Sequence, residues 1–140
     1  MQRWVWVVVL VFGLLAAGSL GGWQPTLPSI LLGVSVVLLS WWMSPFSGGR
    51  TMKHTEVMSL PEGQRRVVIY WRPGCIFCQR LKGGLGSDGG KATWINIWHD
   101  EDAAAFVRSV NDGNEVVPTV VIDGQPHTNP APQLVLDALS

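Results

Sequence analysis

Two uninterrupted apolar runs, Trp4 to Leu20 (WVWVVVLVFGLLAAGSL) and Leu27 to Met43 (LPSILLGVSVVLLSWWM), constrain the fold most, because neither contains a charged side chain. A helix apolar all round has no face to give to water, and each run is about long enough to cross a thin hydrocarbon core. Gly21 to Thr26 (GGWQPT) forms a turn between them, with Trp23 at one interface and Trp41 and Trp42 at the other. Residues 1–45 are therefore expected to be a membrane hairpin of two transmembrane helices, with spans at about 4–20 and 27–43.

Charge gives this hairpin a direction. Arg3 precedes the first run, Arg50, Lys53, Arg65 and Arg66 follow the second, and the turn carries no charge. Both termini and the rest of the chain are thus expected in the cytoplasm, at the cell membrane. An alternative makes Met1 to about Gly18 a cleaved secretory signal, with Ala16, Ala17 and Gly18 as the small residues at the cut. The second run would then anchor a domain lying outside. Residues 46–64 are polar, with a Gly pair and two prolines between Ser44 and Gln64, and read as a juxtamembrane linker. Met52, Val57, Met58 and Leu60 make at most a weak amphipathic turn within it.

Residues 65–140 remain for one small domain, which can bury only a modest core. Ten Lys and Arg balance ten Asp and Glu, so no broad basic surface exists and nucleic acid is not an expected partner. Val67 to Trp71 (VVIYW) is too short for a helix and too apolar for an edge, which suits a strand covered on both faces. Cys75 to Lys82 follows as a short helix, stopped by Gly83 and Gly84, and Thr93 to Trp98 as a second strand parallel to the first. Asp100, Glu101 and Asp102 open another helix, whose Ala103, Phe106, Val107 and Val110 form one buried stripe. Pro118 to Ile122 is a third strand, turned by Asp123 and Gly124 into a fourth. A last helix begins near Pro130, with Leu134, Val135 and Leu139 inward. The order is βαβαββα, an α/β pattern that resembles the smallest thioredoxin-like fold.

Only two cysteines occur, three positions apart. So short a loop gains little from the entropy that makes disulfides stabilising, so the pair reads as chemistry. A Cys-x-x-Cys at a strand-to-helix junction puts the first sulfur beside unpaired N–H groups at the positive helix end, favouring thiolate. Cys75 is then the nucleophile. Cys78, one turn on along the same face, is the resolving thiol. Arg72 adds a cation nearby; Arg80 and Lys82 read as solvated charge. A rival reading makes the pair half of a zinc site completed by His54, His99 or His127, the domain then serving as a metal-binding or adaptor module. Zinc sites usually bring a second close-spaced ligand pair, and none exists here, so no metal is expected. In a thioredoxin-like fold the loop before the third strand faces the cysteine helix, and a cis Val117–Pro118 bond there would offer backbone groups to a bound thiol or peptide.

Tyr70 to Cys78 (YWRPGCIFC) together with Val116 to Thr119 (VVPT) resembles the glutaredoxin family, most closely its actinobacterial, mycoredoxin-like branch. The likeness covers about half the chain, from near Arg65 to the end. It implies a thiol–disulfide oxidoreductase with no bound cofactor, reducing protein disulfides or protein–thiol mixed disulfides with a low-molecular-weight thiol, mycothiol or glutathione, as co-substrate. It implies also that Arg72, Phe77, Val117 and Pro118 line the thiol groove. Ile76 stands where glutaredoxins commonly have proline. Thr128, Asn129 and Pro130 stand where a Gly-Gly turn and an acidic residue hold the glutamyl end of glutathione, which favours mycothiol. The alternative retained is a thioredoxin-like oxidoreductase outside the cytoplasm.

Overall fold

Helix α1 (Val5–Leu20) and helix α2 (Leu27–Met43) occupy the two apolar runs. The chain is seen here in a computed structural model that describes residues 4–44 and 51–140. It divides into two units, Met1–Ser47 and Gly48–Ser140. Within the first, the Gly13 site lies against Val36, where a Cβ would come within 2.6 Å of a valine methyl, so the helices meet at a small residue. Trp23 folds back on Gly18, and Thr26 caps α2 in a reciprocal box with Ser29. Trp4, Phe12, Leu20, Leu27, Leu38 and Trp41 remain exposed.

The expectation of two transmembrane helices needs correction. The helices have 16 and 17 residues, which at the usual rise gives about 24 and 26 Å, short of the roughly 30 Å of a typical hydrocarbon core. The turn from Gly21 and the box at Thr26 cut both helices. Among the described residues, no helix is long and apolar enough to cross a membrane.

The second unit starts earlier than the sequence suggests. Helix α3 (His54–Met58) and a 3₁₀ turn (Glu62–Gln64) lie inside the expected linker, yet Val57 is fully buried in the same core cluster as the two cysteines. The His54 backbone N–H donates to Asp100 Oδ2 at 2.5 Å, and Arg65 Nε donates to the Leu60 carbonyl at 3.1 Å. Thr51 Oγ1 accepts from the Asn96 N–H at 3.2 Å. From Thr51 on, this stretch is domain, not free linker; residues 45–50 lie outside the described residues.

Strands β1 (Val67–Trp71), β2 (Thr93–Asn96), β3 (Thr119–Ile122) and β4 (Gln125–Thr128) form one sheet in the order β2-β1-β3-β4. β1 runs parallel to β2 and antiparallel to β3, which pairs antiparallel with β4. Alternation along β1 divides the core. Val68 and Tyr70 pack with α3 and α5 (Glu101–Ser109), while Val67 and Ile69 pack with α4 (Ile76–Leu85) and α6 (Pro132–Leu139). This is the expected mixed α/β, thioredoxin-like arrangement.

Two local expectations fail for identifiable reasons. α4 runs through Gly83 and Gly84 to Leu85, and a Cβ at Gly84 would stand 2.7 Å from the Pro132 ring. Gly84 is therefore a contact point between α4 and α6, not a stop. α6 begins at Pro132 because the residue before a proline is pushed out of helical geometry, and Ala131 is extended (φ −63°, ψ 140°). Leu134 is 44% exposed, and Leu136 packs against the core beside Val135. In α5 the fully buried residues are Ala103, Ala104 and Val107, with Phe106 packed at the cluster edge.

Candidate active site

β1 ends in a turn at Pro73–Gly74, where Gly74 takes φ 71°, a left-handed value that favours glycine. The turn sets Cys75 as the N-cap of α4 with extended backbone (φ −87°, ψ 109°). Its sulfur accepts the Cys78 backbone N–H at 3.1 Å, one of the donors a helix start leaves unpaired. Cys78 lies one turn on, and the two sulfurs form a disulfide with the Cα atoms 5.3 Å apart. Both are nearly enclosed: Cys75 is 8% and Cys78 2% exposed. Cys75 is thus the more accessible of the two cysteines held at the helix start.

Across from them lies the segment entering β3. The Val117–Pro118 bond is cis, and the Val117 carbonyl oxygen is 3.5 Å from Cys75 Sγ, a distance at which a reduced thiol can donate. Val117 and Pro118 are buried, while Val116, Ile76 and Phe77 are exposed beside them. Phe77 also lines a cleft of about 280 Å³ with Arg80, Asn129, Pro130 and Pro132. The first turn of α4 and the β3 approach therefore frame the sulfur pair.

Arg72 is half-buried, with its guanidinium carbon 5.9 Å from the centre of the Trp98 ring, a cation–π arrangement. Burial lowers its hold on the proton, and the charge of Glu115 opposes that effect. Glu115 Oε1 in turn accepts from Arg108 Nη1 at 2.7 Å, and Arg108 Nη2 donates to Glu101 Oε1 at 2.7 Å. Neither Glu115 nor Trp98 carries a spacing signal that sequence reasoning could have used. Trp98 was read as the end of a strand, but β2 stops at Asn96, whose side-chain oxygen turns the chain by accepting the Trp98 N–H at 3.0 Å.

Of the three histidines in the zinc reading, His54 is held by aromatic neighbours. His54 Nδ1 is 2.8 Å from Tyr70 Oη, and its ring stacks on Phe106 at 5.2 Å. Among the described residues no group of three or more His, Cys, Asp and Glu side chains could hold a metal ion.

The family model for glutaredoxin matches residues 67–127. Mycoredoxin 1 of Corynebacterium glutamicum is 46% identical over 65 residues, which are 46% of this chain and 80% of that protein. A Mycobacterium tuberculosis protein that carries the name glutaredoxin is 42% identical over 66 residues, 46% of this chain and 79% of its own length. The shared region holds every element that frames the cysteine pair, from β1 to the cis proline. The chain belongs to the glutaredoxin family, and is a thiol–disulfide oxidoreductase whose partners are disulfides and a low-molecular-weight thiol.

Proposed function

We propose that this protein reduces protein disulfides and protein–thiol mixed disulfides at the cytoplasmic surface of the cell membrane, with mycothiol preferred to glutathione as the small thiol. One observation carries the chemical part: Cys75 Sγ sits at the start of α4, 3.1 Å from the Cys78 N–H and 3.5 Å from the Val117 carbonyl. Backbone donors at a helix start favour the thiolate. The Cys75 thiolate attacks the small-thiol sulfur of the mixed disulfide; that S–S bond breaks, the client leaves as a thiolate and takes a proton, and the small thiol stays on Cys75. A second small thiolate attacks its sulfur, releasing the small disulfide and restoring Cys75. On protein disulfides, Cys78 attacks Cys75 Sγ instead, frees the client and closes the Cys75–Cys78 disulfide.

Arg72, Phe77, Val117 and Pro118 line the groove in this reading. The preference for mycothiol rests on Thr128, Asn129 and Pro130, where glutathione users carry a glycine pair and an acid. The hairpin attaches the domain to the membrane surface, supported by its exposed apolar side chains and by the flanking cations, which anionic lipids of the cytoplasmic leaflet attract. Cys75→Ser is expected to abolish turnover, and Cys78→Ser to retain activity on mixed disulfides with the small thiol. Mass spectrometry of the species trapped on Cys75 in the Cys78→Ser protein names the thiol and the client. Equal, mild losses in both variants would contradict the assigned roles. Failure of the full chain to float with lipid vesicles would remove the membrane attachment, and labelling of Cys75 on intact cells by an impermeant reagent would place the domain outside.

A further inference from the structure

Resting on the reading that Arg72 lines the thiol groove, we infer that Glu115 is a specificity-determining residue: its carboxylate offsets the Arg72 charge and disfavours small thiols that bear carboxylates. The two residues belong to the two segments that meet at the reacting sulfur. Arg72 lies three positions before Cys75; Glu115 lies two before Val117, whose carbonyl is 3.5 Å from Cys75 Sγ. Arg72 is pinned over the Trp98 ring, and Glu115 is fixed by Arg108 at 2.7 Å, with its side chain only 30% exposed. Arg108 is shared with Glu101, also at 2.7 Å. The Glu115 charge thus acts on Arg72 from the segment that enters β3, while Arg108 and Glu101 pair with each other on α5.

The consequence follows from ligand chemistry. Glutathione presents carboxylates at both ends, and one placed near Arg72 meets Glu115 as a like charge. A thiol with a hydroxylated, uncharged sugar body, as in mycothiol, meets no such opposition. Partly exposed charges are screened, so the effect is moderate and salt-sensitive.

The test compares kcat/KM of the full chain on one peptide carrying either a glutathionyl or a mycothiolyl disulfide. Glu115→Gln is expected to shift the rate ratio toward the glutathionyl peptide by roughly threefold to tenfold, chiefly through KM, with the shift shrinking at high salt. Glu101→Gln removes the other pair on Arg108 and is expected to leave the ratio unmoved. Arg108→Gln releases Glu115 toward Arg72 and is expected to move the ratio the opposite way, so the inference stays testable if Glu115→Gln folds poorly. An unmoved ratio in Glu115→Gln, or an equal shift in Glu101→Gln, overturns the role of Glu115 alone. If Arg72→Gln leaves both rates unchanged, the groove assignment itself fails.

Discussion

Val57→Ala separates a docked segment from a free linker. Val57 is 0% exposed and belongs to the cluster that contains Val68, Tyr70, Ile95 and both cysteines. The substitution removes two buried carbons, worth about 0.8 kcal/mol each by transfer, and the unfilled cavity raises the total to about 2–3 kcal/mol. For a domain of this size each kcal/mol moves the melting temperature by about 4–8 °C. Thermal unfolding of the full chain, followed by near-ultraviolet circular dichroism, should therefore show the redox domain melting lower by roughly 8–24 °C. A tether without tertiary contacts would give a change below about 0.5 kcal/mol. That smaller value would refute the packing of α3 on the domain and restore a long linker.

Asp100→Ala removes the acceptor for the Asp102 and Ala103 N–H groups, at 3.1 and 3.3 Å, and for the His54 N–H. A cost of about 2–3 kcal/mol is expected in urea titration, cap and tie together, and Asp100→Asn should cost less because its oxygen still caps. Gly84→Ala tests the α4–α6 contact: helix propensity alone would stabilise by about 1 kcal/mol, but the 2.7 Å approach to the rigid Pro132 ring should reverse the sign, so a raised melting temperature would refute it. Burial, aided by the Asp100 charge, pushes the Tyr70 phenol well above its ordinary value. A pKa raised on folding gives stability that is whole below about pH 10 and is lost as pH rises beyond it; since Tyr70 is the one tyrosine in the sequence, phenolate absorbance should appear only as the domain unfolds. Phenolate forming at ordinary pH in the folded protein would contradict that burial.

Strand β1 was legible to the residue because five consecutive β-rich side chains are bounded by charge before and Pro-Gly after. The cysteine pair was legible for the same local reason: a turn, an N-cap and a helix follow from adjacent residues. Contacts that join distant segments left no such trace. Nothing local marks Val57 as core, since its stabilising partners lie on β1, β2 and α5. Gly84 looks like a helix stop until Pro132, far along the chain, occupies the space over it. Hydropathy found both helices almost to the residue, about 4–20 against Val5–Leu20 and 27–43 against Leu27–Met43, because the Gly21–Gly22 turn and the Thr26–Ser29 box that bound them are local.

The family region, residues 67–127, ends short of both elements that close the sheet. α6 covers one face beside α4; α3 covers the other beside α5. The second of these matters for the chemistry, because Val57 shares one cluster with Cys75, Cys78 and Val117. In a close-packed interior, removing one wall is felt by the neighbours. Undocking of α3 would open the core at Tyr70 and Phe106, which pack ring to ring with His54 at centroid distances of 5.8 and 5.2 Å. The domain that carries out thiol exchange therefore extends upstream of the family match, to Thr51. A truncation beginning at Arg65 would retain the sulfur pair and the cis-proline segment while losing part of the core that holds them together.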